Sequence, residues 1–266
     1  MIEHPGWTRT DEGRRRVVRT ATGTWLARTG AEHGITLACI EGSEDDKPTV
    51  VATAPDQLPQ GAPAELLRAL AKLATVERLA NPSLWDALTT AILRQVVRAD
   101  QARKLYRAWC ATYGVPAGAI GAATVPQAAK VADMPDAQFA AVGAKFHRAK
   151  LLAAAAAYLS DGARWTQLPA EQLVQALTQV PGIGPWTARA AAADFTGDFS
   201  VYPHADLAVR TWARKAAPGC TWHDGERAFE ATWRSYAATA AQLSALTLFT
   251  LTWGSNDRPD HLPDTP

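Results

Sequence analysis

Apolar positions change their period once along the chain. Up to residue 54 they fall in short β-prone runs, at 16–20, 24–28, 35–40 and 49–54. Thr22-Gly23 and His33-Gly34 supply turn signals between them. The acidic stretch 41–47 reads as an exposed connection, and the proline- and glycine-rich stretch 55–63 (PDQLPQGAP) as a linker. From Ala64 onward the period is helical. Leu66, Leu67, Leu70 and Leu73 share one face until Asn81-Pro82 breaks the pattern. Ser83 is a candidate N-cap for a helix over 84–94, and a second helix begins near Ala99. The stretch 112–134 is punctuated by glycine and proline and reads as loop, with a short helix at 126–132. Further helices are expected at 144–159, 171–180, 186–193, 207–215, 226–240 and 242–253. The pattern predicts a mainly α fold. A small antiparallel β-rich domain spans 1–58, a helical domain spans 59–253, and a disordered tail takes up 254–266.

Composition leaves this picture standing and narrows the class. With 266 residues, 47% apolar and 20% charged, the chain has ample core for one large domain or two modest ones. It shows no uninterrupted apolar span of membrane length and no secretory-signal pattern, so a cytoplasmic protein with no membrane partner is expected. Cys39, Cys110 and Cys220 are too far apart for a spaced metal cluster or a disulfide framework. Net charge is only +1, but its distribution is uneven. Residues 81–215 carry 14 Lys and Arg against 9 Asp and Glu, while the flanking segments are balanced or acidic. That fits local contact with phosphates rather than global attraction to a polyanion.

The densest signal lies inside this basic segment. Leu173, Leu177 and Val180 mark an amphipathic helix, which Pro181 and Gly182 stop. Gly184 allows the turn, and Pro185 suits the first turn of a new, alanine-rich helix. Two helices joined by so short a loop must fold back on each other. The uncharged tip offers free N–H groups beside a helix N-terminus, a natural phosphate site. The sequence VPGIGPWTA at 180–188 resembles the helix-hairpin-helix motif of a DNA glycosylase superfamily, and YPHADLAVR at 202–210 resembles its proline-to-aspartate segment. WRSYA at 233–237 is similar to a segment of its alkylation-repair branch, the bacterial 3-methyladenine DNA glycosylase II type. The resemblance spans roughly 64–253. It implies a two-lobed helical domain with a DNA cleft between the lobes, acting as a monomer on double-stranded DNA that contains damaged bases.

The same resemblance implies roles for single residues. The hairpin holds DNA through Gly182, Ile183 and Gly184, with Thr187 beside them. Carbonyls of Thr178, Val180 and Ile183 match the place of a structural monovalent cation, and no other cofactor is implied. At the junction of the helices around 94 and 99, Gln95 and Val96 match a loop that wedges into the minor groove and fills the gap left by an extruded base. The residues alone also allow Val96 and Val97 as core positions of one continuous helix. Trp186 matches a wall of the base pocket, and an indole is also an ordinary core residue of a helix pair. Tyr202 belongs to the same pocket. Two positions depart from the branch, with Ala190 where it has an aromatic and Gln242 where it has a second tryptophan. They imply a wider, more polar pocket. His147 reads as a surface histidine, and Lys145, Arg148 and Lys150 as candidate phosphate contacts.

Asp206 opens the helix at 207–215. Alone it is an ordinary N-cap residue; within the motif it is the catalytic carboxylate. Hydrolysis of an N-glycosidic bond passes through a sugar cation, which one carboxylate stabilises while orienting water. An N-alkylated purine is already cationic and leaves without strong acid help, so one carboxylate suffices. Strand-cleaving relatives place a lysine two residues after the final hairpin glycine. Here that position is Trp186, so no Schiff-base nucleophile is expected there. The implied activity is a monofunctional glycosylase for alkylated purines. The alternatives are a glycosylase for a deaminated or bulky base and a non-catalytic damage-binding protein of the same fold.

Overall fold

The structure, a computed structural model, describes residues 4–30, 34–118 and 121–256. His33 and the tail from 257 onward lie outside the described residues. Four antiparallel strands, β1 (Thr8–Thr10), β2 (Gly13–Arg19), β3 (Gly23–Thr29) and β4 (Ile35–Gly42), form a meander in that spatial order. Strand alternation turns Arg16 and Val18 to the buried face, where Val18 pairs with Trp25. Trp7, Val18, Trp25 and Ala27 make a small core.

A second ribbon crosses the expected boundary between β-rich and helical parts. β5 (Val50–Thr53) pairs antiparallel with β6 (Val76–Leu79), which falls where helical periodicity was expected to continue. The helix in between, α1 (Ala64–Ala71), is shorter than its leucine pattern implies, because Ala74 takes a left-handed conformation (φ +52°) and turns the chain into β6. Leu79 then joins the core of the meander. The stretch 55–63 is also no free linker. Leu58 and Ala62 are buried, and Gly61 runs so close to Tyr236 that a Cβ would lie 2.7 Å from the Tyr236 carbonyl oxygen.

The remaining chain is helical around one large core. Its helices are α2 (Leu84–Leu93), α3 (Ala99–Tyr113), α4 (Ala128–Ala132), α5 (Asp136–Ala141), α6 (Arg148–Trp165), α7 (Ala170–Leu177), α8 (Pro185–Thr196), α9 (Leu207–Ala216), α10 (Glu226–Ser235) and α11 (Ala240–Asn256). A hairpin of β7 (Val115–Ala117) and β8 (Ala122–Thr124) occupies part of the expected loop at 112–134. α6 starts later than expected, after one 3-10 turn at Lys145–His147. It runs on to Trp165 because nothing breaks it before Pro169. The tail expected from Gly254 begins only after α11, since 254–256 finish that helix.

α2 and α8 lie side by side and antiparallel, with Ala188 and Ala190–Ala193 all buried on α8. At the α2 start, Asn81 donates its N–H to the Asp194 carbonyl (3.0 Å) and its amide to the Asp194 carboxylate (2.9 Å), while Arg78 ion-pairs with the same carboxylate. One residue group further in, Asp86 accepts from Arg16 of β2 (3.0 Å), from Tyr106 of α3 (2.8 Å) and from Asn81 (3.3 Å). The Thr90 hydroxyl links Asp86 to His4 at 2.9 Å. These buried groups clamp the meander, α2, α3 and α8 together. Burial opposes ionisation of Asp86, but His4, Arg16 and Tyr106 overcome it and hold the carboxyl well below the usual range. Burial and Arg16 together push the His4 pKa down, so His4 is neutral and Arg16 is the lasting counter-charge.

Removing one member of a buried ion pair strands the other. Asp86→Ala should therefore destabilise the chain by about 3–5 kcal/mol, read as a drop in the urea midpoint. A second expectation concerns pH. Because the folded His4 pKa lies below its ordinary value near ~6.5, the unfolded chain takes up that proton first. Stability should fall as pH drops below that value, and His4→Asn should flatten this part of the profile.

Candidate active site

α7 ends at Thr178, and the chain turns through 181–184 into α8. Gly182 has φ +82°, and a Cβ there would lie 2.9 Å from Lys150 Cγ, so both conformation and space require glycine. Ile183 is buried under the turn, whereas Gly182 and Gly184 are exposed. Pro185 opens α8 without an N–H to satisfy, leaving the tip's free amides facing outward. Val180 accepts the Ile183 N–H at 3.0 Å, which ties the turn.

Trp186, in the first turn of α8, is half-buried and donates its indole N–H to Asp206 Oδ2 at 2.5 Å. Asp206 sits at the N-cap of α9, and its Oδ1 accepts the Ala208 N–H at 2.8 Å. Each carboxylate oxygen thus holds one hydrogen bond and keeps a lone pair free. The stretch between α8 and α9 makes the wall behind. Gly197 ends α8 with a left-handed φ of +76°, and a 3-10 turn at Phe199–Val201 delivers Tyr202. The Tyr202 ring stacks on Phe199 (5.7 Å between centres), which in turn lies under the Arg78 guanidinium at 4.6 Å. The Tyr202 hydroxyl is buried and makes no hydrogen bond; burial first, and then Asp206, push its pKa up. His204 is fully buried behind this wall. Burial lowers its pKa to about 3, and its Nε2 lies 3.3 Å from the Phe199 carbonyl oxygen, so it is a neutral structural group.

The turn between α2 and α3 approaches from the other side. Val96 has φ +62° and is 87% exposed, the most exposed of the large apolar side chains described. A β-branched residue in that conformation is strained. This loop breaks what would otherwise be one continuous helix. Gln95 does not project beside it. Its amide NH2 donates to Thr187 Oγ1, its Oε1 accepts from Lys150 Nζ, and its carbonyl oxygen lies 3.3 Å from His147 Nε2. Thr187 is accordingly buried and turned to Gln95. His147, expected at the surface, is 2% exposed, and burial lowers its pKa. Val96 and the 63% exposed Phe146 border a hollow of about 460 Å³ walled by Val97, Leu105, Val142 and His147.

The structure brings Asp206, Trp186 and Tyr202 together, and joins Gln95 to Thr187. Ala190 is buried in the helix packing of α8. Gln242 is committed to the start of α11, where its Oε1 accepts the Ala238 N–H at 2.9 Å and its own N–H donates to Thr239 Oγ1 at 3.2 Å. The Thr239-x-x-Gln242 spacing is a capping pattern, a local signal that alignment to a pocket position had obscured. Sequence reasoning counted Arg94 only as one basic residue among several. In the structure its guanidinium carbon lies 5.8 Å from the centre of the Trp186 ring.

No family model and no curated protein matches the chain. Solved structures do. A 3-methyladenine DNA glycosylase from Archaeoglobus fulgidus superposes with a TM-score of 0.73 at 15% identity, over 94% of this chain and 90% of that one. An 8-oxoguanine glycosylase/lyase from Clostridium acetobutylicum, bound to double-stranded DNA with cytosine opposite 8-oxoguanine, gives 0.65 at 14%, over 94% and 88%. A Schizosaccharomyces pombe 3-methyladenine DNA glycosylase in complex with abasic DNA gives 0.55 at 20%, over 73% and 94%. The fold is that of the helix-hairpin-helix DNA glycosylases, mainly helical with a small antiparallel sheet at the N-terminal end.

The strain at Val96 is measurable. Val96→Gly removes an exposed side chain and relieves the left-handed conformation, so it should raise stability by about 1 kcal/mol in chemical unfolding, net of the entropy glycine adds to the unfolded chain.

Proposed function

We propose that this chain, which carries the helix-hairpin-helix glycosylase fold, is a DNA N-glycosylase. It hydrolyses the bond between a damaged base and its sugar in duplex DNA, the first step of base excision repair. The carrying observation is the Asp206 carboxylate, fixed from both sides by Trp186 and Ala208 and placed just beyond the hairpin. Bond cleavage leaves positive charge on the sugar ring. A carboxylate already oriented by two N–H groups stabilises that charge without reorganising, and its free lone pairs can take up the proton of the attacking water.

The other groups serve to present the base. Hairpin amides at Gly182 and Gly184 and the start of α8 hold the DNA backbone. Val96, standing free on a strained turn, occupies the space of the extruded base. Gln95 supports that turn from behind, which leaves the insertion to Val96. Trp186 offers the ring on which the base stacks, and Tyr202 closes the pocket behind Asp206. A monovalent cation fits the hairpin only through carbonyls. That of Val180 already holds the Ile183 N–H, so Thr178 and Ile183 would supply the freer oxygens. Such an ion would stiffen the turn and takes no part in the chemistry. Every group invoked belongs to one chain, so a monomer suffices. The lesion implied by the sequence resemblance is an alkylated purine such as 3-methyladenine or 7-methylguanine. Among the described residues no helix is long and apolar enough to cross a membrane.

Base release from damaged duplexes, measured by mass spectrometry, tests this reading. Asp206→Asn should lower release by roughly a hundred- to ten-thousandfold while duplex affinity stays within a few fold. Full release by that variant would overturn the assignment. The product should be an intact strand with an abasic site, cut only by added alkali. Borohydride should trap no protein–DNA adduct, because Trp186 stands where a Schiff-base lysine would be needed.

A further inference from the structure

Arg94 caps the C-terminal end of α2, one residue before the Gln95 strut. It is half-buried, and among the described residues no carboxylate forms an ion pair with it. Its guanidinium stands 5.8 Å from the Trp186 ring centre. It also neighbours the buried Tyr202 hydroxyl, which Asp206 faces as well. A fixed cation and a fixed anion therefore flank one aromatic ring. We infer that Arg94 is a specificity-determining residue that turns this pocket away from cationic alkylated purines and toward uncharged deaminated purines, of which hypoxanthine is the simplest. The inference rests on the glycosylase reading given above and names the substrate class of that same site.

The argument is one of charge. A base stacked on Trp186 lies between the carboxylate on its sugar side and the guanidinium on its ring side. An N-alkylated purine is positive before its bond breaks. Two like charges about 5 Å apart in a half-buried site repel enough to lower occupancy by roughly ten- to a hundredfold. An uncharged purine has the opposite need. As C1′–N9 breaks, its electron pair passes to the ring and delocalises onto the 6-carbonyl oxygen, so the base leaves as an anion. The guanidinium stabilises that charge through its N–H donors, and solvent then protonates the ring nitrogen. Water adds its oxygen to C1′ and gives up a proton toward Asp206. Arginine cannot serve as the acid, since it stays protonated in proteins. Its help is purely electrostatic, which is the help a neutral leaving group requires and a cationic one does not. A deaminated base is also mispaired, so extrusion from the helix costs less than for a paired base.

Two duplexes decide the matter, one carrying hypoxanthine opposite thymine and one carrying 7-methylguanine opposite cytosine. Single-turnover release is measured for the wild type, Arg94→Gln and Arg94→Lys, with Asp206→Asn as the blank. The wild type should release hypoxanthine faster. Arg94→Gln should lose roughly a hundredfold on hypoxanthine and lose nothing on 7-methylguanine, inverting the preference, while Arg94→Lys keeps the wild-type order. An equal loss on both duplexes would reduce Arg94 to a structural support and overturn the inference. So would a wild type that prefers 7-methylguanine. Release of neither base, nor of any other damaged base tried, would instead bring down the glycosylase reading itself, and this inference with it.

Discussion

The antiparallel pairing of α2 with α8 is the constraint on which the rest depends. Alanines on α8 let the two helices run close together, and close packing transmits position faithfully from one end to the other. Polar groups fasten both ends. At one end Asn81 and Arg78 hold Asp194, and Asp86 gathers Arg16 and Tyr106 around it. At the other end Gln95 holds Thr187, and Arg94 lies over Trp186. The first clasp is deeply buried and reaches the N-terminal meander. The second faces the cleft and carries the candidate chemistry. A displacement of α2 along its axis would move Arg94, Gln95 and Val96 against Trp186 and Asp206 by the same amount.

This arrangement gives the small sheet a purpose that its size does not suggest. Arg16 is a charge on the inner face of a strand, where charges are rarely found without a partner. It is there because Asp86 is, and Asp86 is at the start of α2. The meander is thereby joined to the helix whose far end presents the wedge turn. β6 adds a second tie, since Arg78 lies on it and meets both Asp194 and the Phe199 ring under Tyr202. The back of the base pocket and the base of α2 share one arginine.

What was legible in the sequence follows from how local each signal is. The hairpin could be read because proline and glycine act on their own backbone, and Asp206 because an N-cap precedes its helix by one residue. The helical periodicity located most of the helices. β6 was not legible, since its pairing with β5 depends on residues more than twenty positions away. His147 looked like a surface histidine because nothing nearby in sequence buries it; the elements that do so come from the α2–α3 turn and α3. Gln242 misled in the opposite way. Similarity to a distant family placed it in a pocket, while a local capping pattern three residues long already accounted for it. Arg94 carried no distinguishing pattern at all, because its meaning lies in the ring it faces across the cleft.

Structures with this fold, at 14–20% identity, have titles that name enzymes for alkylated and for oxidised bases. A shared frame therefore does not choose the lesion, and the choice must rest on a few side chains hung upon it. In this chain those side chains divide the charge of the reaction between two helices. Asp206, on α9, answers the positive sugar. Arg94, on α2, answers whatever charge the base acquires. The sugar cation is common to every N-glycoside hydrolysis, so a carboxylate there says little about the lesion. The charge on the departing base differs between lesions, positive turning neutral in one class and neutral turning negative in the other. A guanidinium beside the stacking ring distinguishes these two cases by sign, and the α2–α8 pairing keeps it where that sign is felt.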